Sequence, residues 1–132
     1  MELLDPGADP PRIANPMSKD QSVMRTNLFP GLIGSLKENL VRQRSRIRLF
    51  EFGQCFPNPG EIQQVFRLGG VVCGTRFPES WSAVPAPIDF FDLKGDVERI
   101  LEISGKPFSF HETNGGIWHP GQSAVVKNGE RV

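Results

Sequence analysis

Along residues 28–43, Leu32, Ile33, Leu36, Leu40 and Val41 recur at helical spacing and predict an amphipathic helix. Asn27 stands where a cap would, and Pro30 fits the first turn. Gly31 and Gly34 each cost about 1 kcal/mol of helix propensity against Ala, tolerable where another backbone comes close to that face. From Ile47 the period falls to two. Ile47, Leu49 and Glu51 alternate with Arg48, Phe50 and Phe52, which predicts a strand, and Gly53 predicts a bulge or kink before Cys55 and Phe56. Pro57-Asn58-Pro59-Gly60 is a dense turn signal. Residues 66–73 then return as a second apolar strand, weakened or bulged at Gly69-Gly70, so that an antiparallel meander results.

Residues 75–88 hold Pro78, Pro85, Pro87 and Trp81 and predict a long loop. Over 89–104, Phe90, Leu93, Val97, Ile100 and Leu101 form a second helical stripe, with Asp92, Asp96 and Glu98 in the early turns where the macrodipole favours acids. Gly105 supplies a left-handed stop. Phe108-Ser109-Phe110-His111 and residues 123–127 read as strands around a glycine turn at Gly115-Gly116. Asn128-Gly129 is a strong hairpin signal followed by only three residues, from which a piece of a longer protein is expected. At the other end, Pro6, Pro10, Pro11 and Pro16 exclude helix over 5–16 and predict an extended, partly polyproline arm. Residues 18–21 read as a turn or a short helical start. The fold class is α+β, an antiparallel sheet flanked by helices, with residues 1–16 as an entry arm and 17–132 as one incomplete core domain.

Of the 132 residues 38% are hydrophobic and 14 are glycine, the balance of an ordinary globular chain, which excludes disorder as the dominant state. No apolar run approaches the roughly 20 residues of a membrane span, and the acidic N-terminus does not resemble a signal peptide. Formal charge is zero overall, yet residues 1–11 carry −3, residues 12–51 carry +5 and the remainder −2. That distribution argues against a nucleic-acid coat along the whole length and leaves one basic segment able to touch RNA. Arg42 and Arg44 are the candidates for RNA contact, at the head of a run that continues through Arg46 and Arg48. A helix C-terminus accounts for such cations at about 0.3–1 kcal/mol each, and this structural explanation is preferred because no aromatic residue interleaves the run.

Candidate chemistry elsewhere is thin. Cys55 and Cys73 lack a CxxC partner and read as buried thiols, and His111 and His119 lack the neighbours of a zinc site. Asp89, Asp92 and Asp96 are explained as first-turn acids rather than as a metal cluster. His119-Pro120-Gly121-Gln122 reads as a rigid turn rather than an acid/base loop. Trp81 suits either a partner anchor or a cover for the sheet. No catalytic, cofactor or metal residue is assigned.

Several phrases, taken in order, carry a resemblance. They are Asn15-Pro16-Met17-Ser18, Met24-Arg25-Thr26-Asn27-Leu28-Phe29-Pro30-Gly31-Leu32, Arg42-Gln43 and Leu49-Phe50-Glu51-Phe52-Gly53, followed by Gly74 and Trp81, Asp89-Phe90-Phe91-Asp92-Leu93-Lys94-Gly95-Asp96, and His119-Pro120-Gly121-Gln122-Ser123-Ala124. From about Asn15 to Val132 the chain resembles the bacterial phenylalanyl-tRNA synthetase beta subunit in its C-terminal, catalytic-like region. The resemblance implies a class II synthetase core without activity of its own, in the cytoplasm, paired with a catalytic alpha subunit in an alpha-two-beta-two enzyme that joins phenylalanine to tRNA(Phe) with ATP and magnesium. It also implies that residues 24–40 match the first class II motif, whose role is subunit pairing. Met24, Arg25, Gly31, Gly34 and Leu36, with Trp81 as a further anchor, are the candidate interface residues. Class II sites hold ATP with an arginine and a glutamate at R-x-E spacing. Arg48 and Glu51 are one residue too far apart, so no ATP or amino-acid site is carried over. An autonomous small-molecule-binding or transferase domain is the alternative, disfavoured by the missing nucleophile, phosphate loop and metal constellation.

Overall fold

The computed structural model describes residues 10–18, 22–57, 63–82, 84–113, 118–119 and 121–129. In chain order the elements are α1 (Phe29–Val41), β1 (Arg46–Cys55), β2 (Val65–Gly74), α2 (Phe90–Glu102), β3 (Phe108–Glu112) and β4 (Ala124–Asn128). The class is α+β. In place of one sheet flanked by helices there are two sheets of two strands each, β1 with β2 and β3 with β4, both antiparallel. Each strand pairs with its nearest neighbour in sequence. Gly74, at φ +94°, ends β2 where a Cβ would lie 1.8 Å from the Ser45 carbonyl oxygen, and the proline-rich stretch follows directly.

Contacts divide the chain into two compact units, residues 1–74 and 75–132. In the first, β1 and β2 pair without interruption from Arg46 opposite Gly74 to Cys55 opposite Val65. The bulges expected at Gly53 and at Gly69-Gly70 are therefore not formed. Both glycines are instead seats for side chains from elsewhere. A Cβ at Gly69 would lie 3.1 Å from Leu32 Cδ1 and 3.4 Å from the Leu28 side chain, and one at Gly53 would lie 2.0 Å from Arg25 Nη2. Missing side chains let α1 and the segment before it press directly onto the sheet.

The packed face of that sheet carries Ile47, Leu49, Glu51, Gly53 and Cys55 with their β2 partners. Leu28, Leu32 and the fully buried Cys55 form the core, with Leu49 and Val71 packed against it, while Cys73 is only half-buried. Helix α1 starts at Phe29 with Pro30 in its first turn, as the sequence predicts. Its N-cap position is Leu28, which has no side chain able to cap. Asn27 compensates from one residue earlier, its Oδ1 accepting the Phe29 N–H at 3.0 Å. In the arm, Arg12 bridges Val23, Ile13 N–H donates to Ser22 O at 2.9 Å and Met24 N–H to Pro11 O at 2.8 Å. The described part of the arm thus pairs with residues 22–24 around Arg12 and bends at Ala14 and Asn15.

In the second unit, α2 opens with a reciprocal cap: Asp89 Oδ1 accepts the N–H groups of Phe91 (2.9 Å) and Asp92 (3.0 Å), and Asp92 Oδ2 accepts the Asp89 N–H (2.9 Å). Asp89 and Asp92 are therefore helix-starting groups, whereas Asp96 lies beyond the first turn, 4.0 Å from Arg99. Gly105 (φ +65°) follows the helix end, its N–H donating to Glu102 O. Strand β3 pairs with β4 from Phe108 opposite Asn128 to Glu112 opposite Ala124. Lys94 sets its ammonium 4.7 Å from the centre of the Phe110 ring, joining α2 to β3. The turn signals at 58–60 and at Gly115-Gly116, the start at 19–21 and the last three residues lie outside the described residues.

Candidate interaction surfaces

The candidate residues of 24–40 do not share one environment. Arg25 is committed to its own sheet: Nε donates to Gln54 O at 2.7 Å, Nη1 pairs with Glu51, and its carbonyl accepts the Phe56 N–H at 2.9 Å. Gly31 lies above Glu51, where a Cβ would meet Oε2 at 3.5 Å, whereas a Cβ at Gly34 would meet nothing within 4 Å. Met24 and Leu36 are half-buried, and Leu40 and Val41 are exposed at the far end of the helix. Leu28 and Leu32 face the core, so the helix side marked by Gly34 is open.

Among the described residues of the first unit, helix α1 packs on one face of the β1–β2 sheet and not on the opposite one. Strand alternation places Arg46, Arg48, Phe50, Phe52 and Gln54 there from β1, and Phe66, Leu68, Gly70, Val72 and Gly74 from β2. Phe50 is 81% exposed, Phe52 66% and Phe66 61%, high values for rings inside paired strands. Phe52 and Phe66 stack with centroids 5.3 Å apart and planes 10° from parallel. The arginine run is therefore continued by aromatic residues on its own face, as the alternation of Arg48, Phe50 and Phe52 predicts. Arg42 and Arg44 are exposed in the connection leading into that face, Arg42 lying 4.0 Å from a solvent-exposed Glu38.

Arg48 and Glu51 lie on opposite faces of β1, and Glu51 is held by Arg25. These two residues therefore do not fit an ATP clamp.

In the second unit, Trp81 is fully exposed in the proline-rich loop. The residue that organises this loop, Arg76, carries no sequence signal beyond being a lone cation. Thr75 bridges Pro87, the Arg76 N–H donates to Ala86 O at 2.9 Å, and its guanidinium contacts both capping acids: Nε lies 2.8 and 3.0 Å from the Asp92 oxygens and Nη2 3.1 Å from Asp89 Oδ2. The backbone N–H of Asp89 does most to hold the Asp92 carboxyl below its ordinary range; lost solvent opposes it, and the Arg76 guanidinium adds to the lowering. Thr75, Phe77, Val84 and Ala86 line a hollow of about 30 Å³, with room for water and not for a metabolite. His119 turns the chain ahead of β4, its carbonyl accepting from Gln122 N–H and Ser123 Oγ. No helix among the described residues is long and apolar enough to cross a membrane.

A family model described as the phenylalanyl tRNA synthetase beta chain CLM domain matches residues 1–132. Among curated proteins, the chain is 44% identical over 129 residues to a phenylalanine–tRNA ligase beta subunit of Pseudomonas putida, covering 96% of this chain and 16% of that protein. It is 43% identical over 136 residues to that of Nitrosococcus oceani (99% and 17%) and 42% identical over 134 residues to that of Hahella chejuensis (100% and 17%). The chain thus spans about one sixth of the length of these relatives.

Proposed function

The chain belongs to the phenylalanyl-tRNA synthetase beta-chain family, and on that premise we propose that it is a non-catalytic, class II core-like domain of a cytoplasmic phenylalanine–tRNA ligase. Its role is to support assembly of the beta subunit with the catalytic alpha subunit, in the ATP-dependent charging of tRNA(Phe) with phenylalanine. The observation that carries this reading is the family match over the whole chain. A non-catalytic role is supported by the dispersal of Arg48 and Glu51 to opposite faces of one strand, with Glu51 occupied by Arg25. Helix α1 is the proposed contact with alpha. Its Gly34 side is open, and bare glycine there lets a facing element approach closely.

The test uses the full-length beta chain. Gly34→Leu adds bulk where the helix has no neighbour, so the sheet beneath it stays folded, while association with alpha weakens by about ten-fold or more through steric obstruction. Sedimentation of mixed subunits reads the affinity, and circular dichroism the fold. A folded variant with unaltered affinity removes α1 from the interface. Phenylalanine-dependent exchange of pyrophosphate into ATP by the beta chain without alpha overturns the non-catalytic role.

A further inference from the structure

On the packed side of the first unit, one side chain joins the sheet to the start of α1. Arg25 lies over Gly53, where a Cβ would stand 2.0 Å from Nη2, and from that seat Nε donates to Gln54 O at 2.7 Å while Nη1 pairs with Glu51 Oε1. The other carboxylate oxygen, Glu51 Oε2, lies beneath the third residue of the helix, 3.5 Å from where a Cβ at Gly31 would stand. A guanidinium is a planar fork with donors in fixed directions, so the two bonds together set the position of Glu51. The first turn of α1 contains no acid and its cap residue makes no side-chain bond, and a carboxylate there complements the positive end of the helix dipole.

Within the first unit the packing of α1 is one-ended. Its buried residue is Leu32, with Leu28 at the cap position, whereas Leu40 and Val41 at the far end are exposed. A helix of 13 residues is about 20 Å long, so a tilt of about 10° at its base carries the far end through about 3 Å. We propose that Arg25, Glu51 and Gly53 form a bolt that sets the angle of α1 on the sheet. Arg25 and Glu51 are then positioning residues for association with the alpha subunit, acting through the helix and not by touching alpha. This rests on α1 being the contact with alpha, as proposed above. The pair is half-exposed and adds little to stability. What it controls is direction. Lysine does not replace arginine here, because an ammonium brings the same charge without the fork that holds Gln54 O and Glu51 together.

The experiment uses the full-length beta chain carrying Arg25→Lys, Glu51→Gln or Gly53→Ala, singly and in pairs, titrated with alpha by sedimentation. Gly53→Ala removes no charge and fills the seat of the guanidinium. Each single variant is expected to weaken association about three-fold, and each pair no more than the singles, because all three undo one set of contacts. In the free beta chain, hydrogen exchange is expected to quicken at the Leu32 amide, which donates to Leu28 O at 3.1 Å, while β1 and β2 amides away from Gly53 keep their protection. Effects that add, or a loss confined to Arg25→Lys, overturn the proposal by marking Arg25 as a direct contact with alpha. Exchange quickened through the whole of β1 and β2 overturns it as plain loss of stability. Affinity unaltered in all three variants also overturns it, and Gly34→Leu then separates the two readings. If that variant still weakens association, the helix meets alpha without need of the bolt; if it does not, the function proposed above loses its contact as well.

Discussion

At Gly69 the packing of the first unit depends on a missing methyl group, with Leu32 Cδ1 only 3.1 Å from where it would stand. Gly69→Leu is therefore expected to overpack the core and cost about 1–3 kcal/mol, read as faster hydrogen exchange across β1 and β2. Gly53→Ala should be milder. The atom in its way is the mobile end of Arg25, whose half-exposed pair with Glu51 is worth no more than about 1 kcal/mol. Its signature is local, a loss of protection at the Phe56 N–H that donates to Arg25 O. Both glycines were visible in the sequence as interruptions of a strand. What they accommodate was not, because Leu32 and Arg25 come from outside the strand, and local spacing cannot report a neighbour 28 to 37 residues away in sequence. Asp92 adds a pH dependence. Its folded pKa is lowered, so its contribution to stability is present above the unfolded carboxylate value and is lost as pH falls through the folded value, in the acid range below about pH 4. Exchange of the first-turn amides of α2 should accelerate across that range, and Asp92→Asn should flatten the response.

At the scale of elements, the two helices begin by different means. Helix α1 relies on Pro30 and the displaced contact from Asn27, whereas α2 has a complete reciprocal cap reinforced by Arg76. Asp89→Ala removes the acceptor of two N–H groups and is expected to cost about 1 kcal/mol, with fraying confined to the first turn of α2 in hydrogen exchange. Both helices and all four strands were legible from periodicity, because each carries its own apolar stripe or alternation. The pairing of strands was less so: alternation gives the face of each residue but not the number of strands in a sheet. The alternation already set Arg48, Phe50 and Phe52 on one face, whereas the stacking of Phe66 on Phe52 follows only from the pairing of the strands.

At the scale of the molecule, the two units differ in how much they bury. Among the described residues the buried hydrophobic ones, Leu28, Leu32, Ile47, Cys55 and Phe56, all lie in the first, while α2 in the second has none. A five-residue hairpin against a helix with no fully buried side chain gains little from packing. Amides of β3, β4 and α2 should accordingly exchange faster than those of β1 and β2, and equal protection in both units would contradict this account. The Arg76 clamp separates cohesion from continuity of the peptide chain. Its backbone holds Ala86 and its guanidinium holds Asp89 and Asp92, all beyond the fully exposed Trp81. A protease that cuts after Trp81 would therefore leave the Arg76 contacts across the base of the loop intact, and Arg76→Ala should speed hydrogen exchange at the first turn of α2 more than the cut itself does. By the same logic the loop interior is a place where residues can be gained or lost without shifting the start of α2, since Arg76 spans its base whatever its length.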